Sequence, residues 1–123
     1  MSHYVSNFQD RRVFDRDGLL FRLGGAADSV ERIVSLSIKS LSDRLPKLAE
    51  AVSGGDARGI HFHSHSIGGV AANVSAEDIR SIAARMEELA KAGSLAEMAG
   101  LLGALEDAFH SFKSCAGPVK EES

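Results

Sequence analysis

The stretch Ile60-His61-Phe62-His63-Ser64-His65-Ser66-Ile67-Gly68-Gly69-Val70-Ala71-Ala72-Asn73-Val74 decides the fold. Three of the chain's five histidines stand in it two residues apart, beside a pair of glycines. Read as a helix, the segment separates into two faces. Ile60, His63, Ile67, Val70, Ala71 and Val74 fall on one side, at the spacing of a core stripe. At about 100° per residue the opposite side is centred on His65, with Arg58, His61, Gly68, Gly69 and Ala72 within roughly 60° of it and Phe62 at the edge. Each glycine inside a helix costs about 0.8–1.0 kcal/mol relative to alanine. Two in a row imply that another surface comes close to His65, because a solvent-facing position carries alanine without that cost.

The flanking segments read as further helices of the same kind. Downstream, Ser75 is expected to cap a helix with Asp78 at the box position, and Ile79, Ile82, Ala83, Met86, Leu89 and Ala90 form its stripe until Gly93 stops it. Ser94 and Glu97 make an S-x-x-E capping box for a last helix carrying Met98, Leu101, Leu102, Leu105, Phe109 and Phe112, which ends near Gly117-Pro118. Upstream, Asp56 caps the histidine helix. Before it, Asp28 and Glu31 open a long helix whose stripe, Val30, Val34, Ile38, Leu41, Leu45, Leu48 and Val52, keeps its phase through Pro46. That continuity predicts one kinked helix rather than two, closed by Ser53-Gly54-Gly55. Asp15 caps a short helix over residues 16–23, ended by Gly24-Gly25.

There are no strand-like alternations, and the connections are short. The fold class is therefore all-α, an antiparallel up-down four-helix bundle with a short extra N-terminal helix. The chain divides into a partly ordered lead over residues 1–14, the bundle over 15–115 and a flexible tail over 116–123, charged from Lys120 onwards.

With 123 residues, 44% hydrophobic and 25% charged, the chain has the length and composition of one globular domain. A net charge of −3 offers no basic field for nucleic acid. No run is long and apolar enough for a membrane span, and residues 1–10 do not resemble a signal peptide. A single cysteine, Cys115, fits a reducing, cytoplasmic setting and reads as a small helix residue.

The segment His65-Ser66-Ile67-Gly68-Gly69-Val70-Ala71-Ala72-Asn73-Val74 resembles the signature of histidine phosphotransfer (HPt) domains, His-x-Leu/Ile-Lys-Gly-x-x-(Ala)-Asn-Leu/Val. The likeness extends over Arg16 to Lys113, through Asp28-Ser29-Val30-Glu31, the helix end from Met86 to Gly93, and Leu101 to Phe109. The resemblance implies a phosphoryl carrier of a two-component phosphorelay, an HPt phosphoprotein rather than an autonomous kinase. His65 matches the phosphorylated histidine and Gly69 the family glycine. A response-regulator receiver domain or a hybrid sensor histidine kinase is the implied partner. No cofactor is implied for the chain itself, the Mg²⁺ being expected on the receiver. The chemistry suits the residue type, since histidine is the side chain that can offer a neutral ring nitrogen as a nucleophile near neutral pH.

One position departs from the pattern. The lysine three residues after the histidine is Gly68 here. Arg58 and His61 are the candidates to replace its charge, while Phe62, with Gly68, Gly69 and Ala72, offers a docking partner contact and clearance.

Other readings of the same residues differ in class. A degenerate module could dock a receiver or kinase domain without being phosphorylated. His61 and His65, at i, i+4, could share a metal ion, although the sequence offers no convincing further ligands. Glu106 and His110 are four apart, not the three of di-iron bundles. His63 is expected on the core face, hydrogen-bonded to a neighbouring helix, and His3 and His110 are bystanders.

Overall fold

The computed structural model describes residues 11–117, which contain helices and no strand. After a helical stub at 11–13, helix α1 covers Arg16–Arg22, α2 Ala27–Ser53, α3 Ala57–Val74, α4 Glu77–Lys91 and α5 Met98–Ala116. Each of the long helices α2 to α5 packs on the next in sequence. α5 closes on α2, and α1 lies on α2. Short links and this neighbour order make an antiparallel up-down bundle with a short extra helix. Residues 118–123 of the tail and the first ten residues of the N-terminal lead lie outside the described residues, whereas Ala116, expected in the tail, is buried in the last turn of α5. Of the rest of the lead, Phe14 is buried and meets Phe112 edge-on, ring centroids 5.5 Å apart.

Local chemistry sets the helix limits where the sequence carries clear stop and start signals. Asp15 and Asp56 accept from the N–H groups of Gly18 and Gly59, capping α1 and α3. Gly24, Gly25, Gly55 and Gly93 take positive φ just past helix ends, where a side chain would be strained. α2 is one continuous helix through Pro46. The buried side chains Val30, Val34, Leu41, Leu45 and Leu48 share one face on both sides of the proline, so packing holds the helix together where a hydrogen bond is lost.

Three expected caps do not form, and at Ser75 a tertiary contact takes the cap's place. Asp28 lies inside the first turn of α2, whose N-cap is Ala26. Ser75 is not the N-cap of α4, a position held by Ala76. It ends α3 in the left-handed conformation, φ 64°, and ties that end to α1. Arg22 donates to the Ser75 hydroxyl (2.7 Å) and the Asn73 carbonyl (3.3 Å), and the Asp15 N–H donates to the Ser75 carbonyl. Asp78, freed of a box role, pairs with Arg12 at 3.1 Å. The Ser94–Glu97 box does not form either. The Ser94 N–H closes the end of α4 on the Leu89 carbonyl, and α5 starts only at Met98.

The core face of α3 is Ile60, Ser64, Ile67, Ala71 and Val74, all fully buried. Ser64 takes the place expected for His63, which is only half-buried and makes no side-chain hydrogen bond among the described residues. The Ser64 hydroxyl donates to the Ile60 carbonyl at 2.6 Å, so its burial leaves no polar group unpartnered.

Two substitutions separate packing from polarity on this stripe. Ile67→Ala should lower the unfolding free energy by about 2–5 kcal/mol through the cavity it leaves. Ser64→Ala should stay within about 1 kcal/mol of the parent, because it removes only a bond to its own helix and improves helix propensity. Urea denaturation of both variants checks the contrast.

Candidate functional site

Burying Ile60, Ile67 and Val74 turns His65 outward, and its side chain is 74% exposed on α3. Its ring is nevertheless fixed on one side. Nδ1 lies 2.9 Å from Oε2 of Glu87 on α4. In the tautomer that carries its proton on Nδ1, this nitrogen donates to the carboxylate and the Nε2 lone pair is left free. His61, one turn earlier, brings Nε2 to 3.6 Å from the same oxygen, too long for a hydrogen bond and close enough for an ion pair when protonated. Glu87 itself is 29% exposed, set between the two rings.

The two glycines have different surroundings. Gly68 is half-buried, and a Cβ on it would lie 3.7 Å from the Ala83 Cβ of α4, an ordinary contact. The surface that approaches this glycine is thus α4 of the same chain. Gly69 is exposed, with nothing within 4 Å of a Cβ, so it leaves the ground beside His65 open. Ala72 is exposed two turns on, beside Ser75, Glu77 and Arg80.

Arg58, His61 and Phe62 line a groove at the start of α3 with Asp56, Ala90 and Lys91. Phe62 is 62% exposed and stands edge-on to His63, ring centroids 5.1 Å apart. On the other flank of α3, Val70 and Asn73 form a second groove with Ile33, Leu36, Ser37 and Ser40 of α2. The structure therefore gathers His61, His65, Gly68 and Glu87 at one place, with Arg58 and Phe62 along the same groove and Ala72 farther off.

Among the described residues, no group of three or more His, Cys, Asp or Glu side chains could hold a metal ion. None of the helices there is long and apolar enough to cross a membrane.

The comparisons with known proteins bear on this arrangement. The Hpt domain family model matches residues 32–115, more than half of the chain, and that span contains His61, His65, Gly68 and Glu87. The chain belongs to the Hpt domain family. Its structure is similar to the crystal structure of histidine-containing phosphotransfer protein B (HptB) from Pseudomonas aeruginosa PAO1, with a TM-score of 0.74 and 23% identity, over 80% of this chain and 86% of that one. At that identity the likeness is one of fold. No curated protein matches the chain. Hpt domains act in histidine phosphotransfer within phosphorelays, with receiver domains and histidine kinases as partners, and the helical architecture described above is theirs.

Glu87 is the residue that reading the motif did not single out. It sits 22 positions after His65 on a different helix, so no local spacing announces it. Its signal was weaker: an acid at the border of the α4 stripe, one position after the buried Met86.

If Glu87 fixes the ring, the neutral His65 of the wild type should be held as the Nδ1–H tautomer. Glu87→Ala should release it to a mixture of both tautomers, and Glu87→Gln should retain part of the bias through its amide oxygen. Long-range ¹H–¹⁵N correlation of the histidine side chains above pH 8 distinguishes these outcomes, and identical spectra for wild type and Glu87→Ala would show that the contact does not orient the ring.

Proposed function

We propose that this Hpt domain is a cytoplasmic phosphoryl carrier in which His65 accepts the group at Nε2 and later gives it up. The observation that carries the reading is the exposed ring held by its opposite nitrogen to Glu87 (2.9 Å). In the accepting step the Nε2 lone pair attacks the phosphorus of a receiver's aspartyl phosphate. The P–N bond forms as the P–O bond to the aspartate breaks, and the carboxylate leaves. The ring, with Nδ1 still protonated, becomes cationic, and the Glu87 carboxylate stabilises that charge through a charge-assisted hydrogen bond. Passing the group on reverses these events.

Phosphoryl transfer is mostly positioning and charge neutralisation, which matches a site with one oriented nitrogen and open ground around it. Gly69 leaves room for the receiver's aspartate, and Phe62 gives its surface an apolar anchor. Arg58 and His61 add positive potential on that side when His61 is protonated. Mg²⁺ prefers several oxygen ligands, and this site offers a single carboxylate, so the metal is assigned to the receiver.

Phosphoryl transfer from a panel of phosphorylated receiver domains tests the reading. Wild type should acquire an acid-labile, alkali-stable label and His65→Gln none. Receiver binding without any label would instead favour the docking-only module, with Gly68 in place of a lysine as its mark. His61→Ala should shorten the lifetime of phospho-His65, measured by loss of label after removal of the donor, and an unchanged lifetime would remove His61 from the site's chemistry.

A further inference from the structure

An Hpt domain with glycine at position 68 lacks the cation that its family pattern places on the turn after the histidine. We infer that α4 supplies it, through Lys91, across the groove between α3 and α4. The inference rests on the carrier reading of His65.

Four observations lead to Lys91. First, the register of the two helices is antiparallel. Glu87 meets His65, Ala83 meets Gly68, and Ala90 and Lys91 share a groove with Arg58, His61 and Phe62. Lys91 is therefore one turn, about 6 Å along the axis, from the residue that holds the His65 ring. Second, helical side chains lean toward the N-terminus of their own helix. On α4 that direction runs from Lys91 back toward Glu87 and the level of His65. On α3 it runs the other way, carrying Arg58 away from His65 toward Asp56. Arg58 also starts about 10 Å from His65 along the axis.

Third, the other cations of α4 are engaged. Arg80 holds Glu77 with two hydrogen bonds, 2.8 and 2.6 Å, and this hydrogen bonding keeps the Glu77 carboxyl below the usual range and raises the Arg80 guanidinium. Arg85 faces Glu97 at 3.7 Å. Lys91 has no ion pair among the described residues. Fourth, Lys91 lines both the groove that contains His61 and the neighbouring one that contains Glu87, so its long stem has open ground on the side toward the histidines. A flexible ammonium with three donors can then follow the phosphoryl oxygens, where a planar guanidinium tied to a carboxylate cannot.

Moving the charge to α4 has a steric counterpart at position 68. A Cβ there makes only an ordinary contact with Ala83, so α3 admits a side chain at this position. Lys91 and a lysine at position 68 should thus be interchangeable, which gives a rescue test.

The full chain is phosphorylated with phosphoramidate, a small donor that needs no docking surface, and followed by ³¹P NMR and intact mass. Lys91→Gln should slow formation of phospho-His65 or shorten its lifetime by about two- to fivefold, the scale of an ion pair at an exposed site. Lys91→Arg should keep most of the effect. Gly68→Lys in the Lys91→Gln background should restore it, which a merely structural role for Lys91 would not allow. A Lys91→Gln protein with wild-type kinetics, or a failure of Gly68→Lys to rescue, overturns the role of Lys91 and leaves the carrier reading standing. Wild type that takes no label, or label that survives His65→Gln, overturns both.

Discussion

Burial of one face of α3 is the constraint on which the site depends. Ile60, Ile67, Ala71 and Val74 are closed inside the bundle, and a helix turning about 100° per residue then has no freedom over where His65 points. The same burial sets α3 against α4, and small residues allow the close fit: Gly68 faces Ala83, and Ala71 and Ala90 lie inside. Only with the helices that near can a carboxylate from α4 reach a ring on α3. The functional geometry is thus a consequence of core packing, and a cavity in the α3–α4 seam would disturb the His65–Glu87 contact before it disturbed the helices themselves.

Much of this was legible in the sequence, for identifiable reasons. Asp15 and Asp56 marked the caps of α1 and α3, and glycines at Gly24-Gly25, Gly54-Gly55 and Gly93 marked the stops, because these signals are local. The outward direction of His65 and the family followed from one segment. What stayed hidden is tertiary. Ser75 looks like an N-cap, but Arg22 and the tight link from α3 to α4 compete for it and hold it as a C-cap. His63 and Ser64 lie a single 100° step apart at opposite borders of the stripe, and hydropathy did not choose the serine. A hydroxyl satisfied by its own helix made the smaller residue the easier one to bury. Glu87 and Lys91 belong to the site only through the register of two helices, which no spacing along the chain encodes.

Drawing the supporting groups from α4 changes what the site is sensitive to. A lysine on α3 would keep its distance from His65 whatever the neighbouring helix did, since one helix fixes both. Glu87, and with it any cation one turn farther along α4, keeps its place only while the α3–α4 seam is intact. The short link through Ser75 and Ala76, held by Arg22 and by the Asp15 N–H, therefore contributes to the site from its far end, because it fixes the register at which α4 runs back along α3.

A carboxylate beside a phosphohistidine raises an electrostatic question, since Glu87 and the incoming group are both negative. The ring answers it by geometry. Glu87 binds Nδ1, and the proposed phosphoryl position is Nε2, so the imidazole stands between them. Two unit charges 4 Å apart in bulk water interact by only about 1 kcal/mol, and the site is largely exposed. A charge-assisted hydrogen bond contributes about 1.5–3 kcal/mol and requires contact. The short-range term therefore wins: Glu87 orients the ring and stabilises its positive charge more than it repels the group on the opposite nitrogen. The residual repulsion falls on the solvent side of the ring, which is where a flexible cation is most effective and where position 68 supplies none.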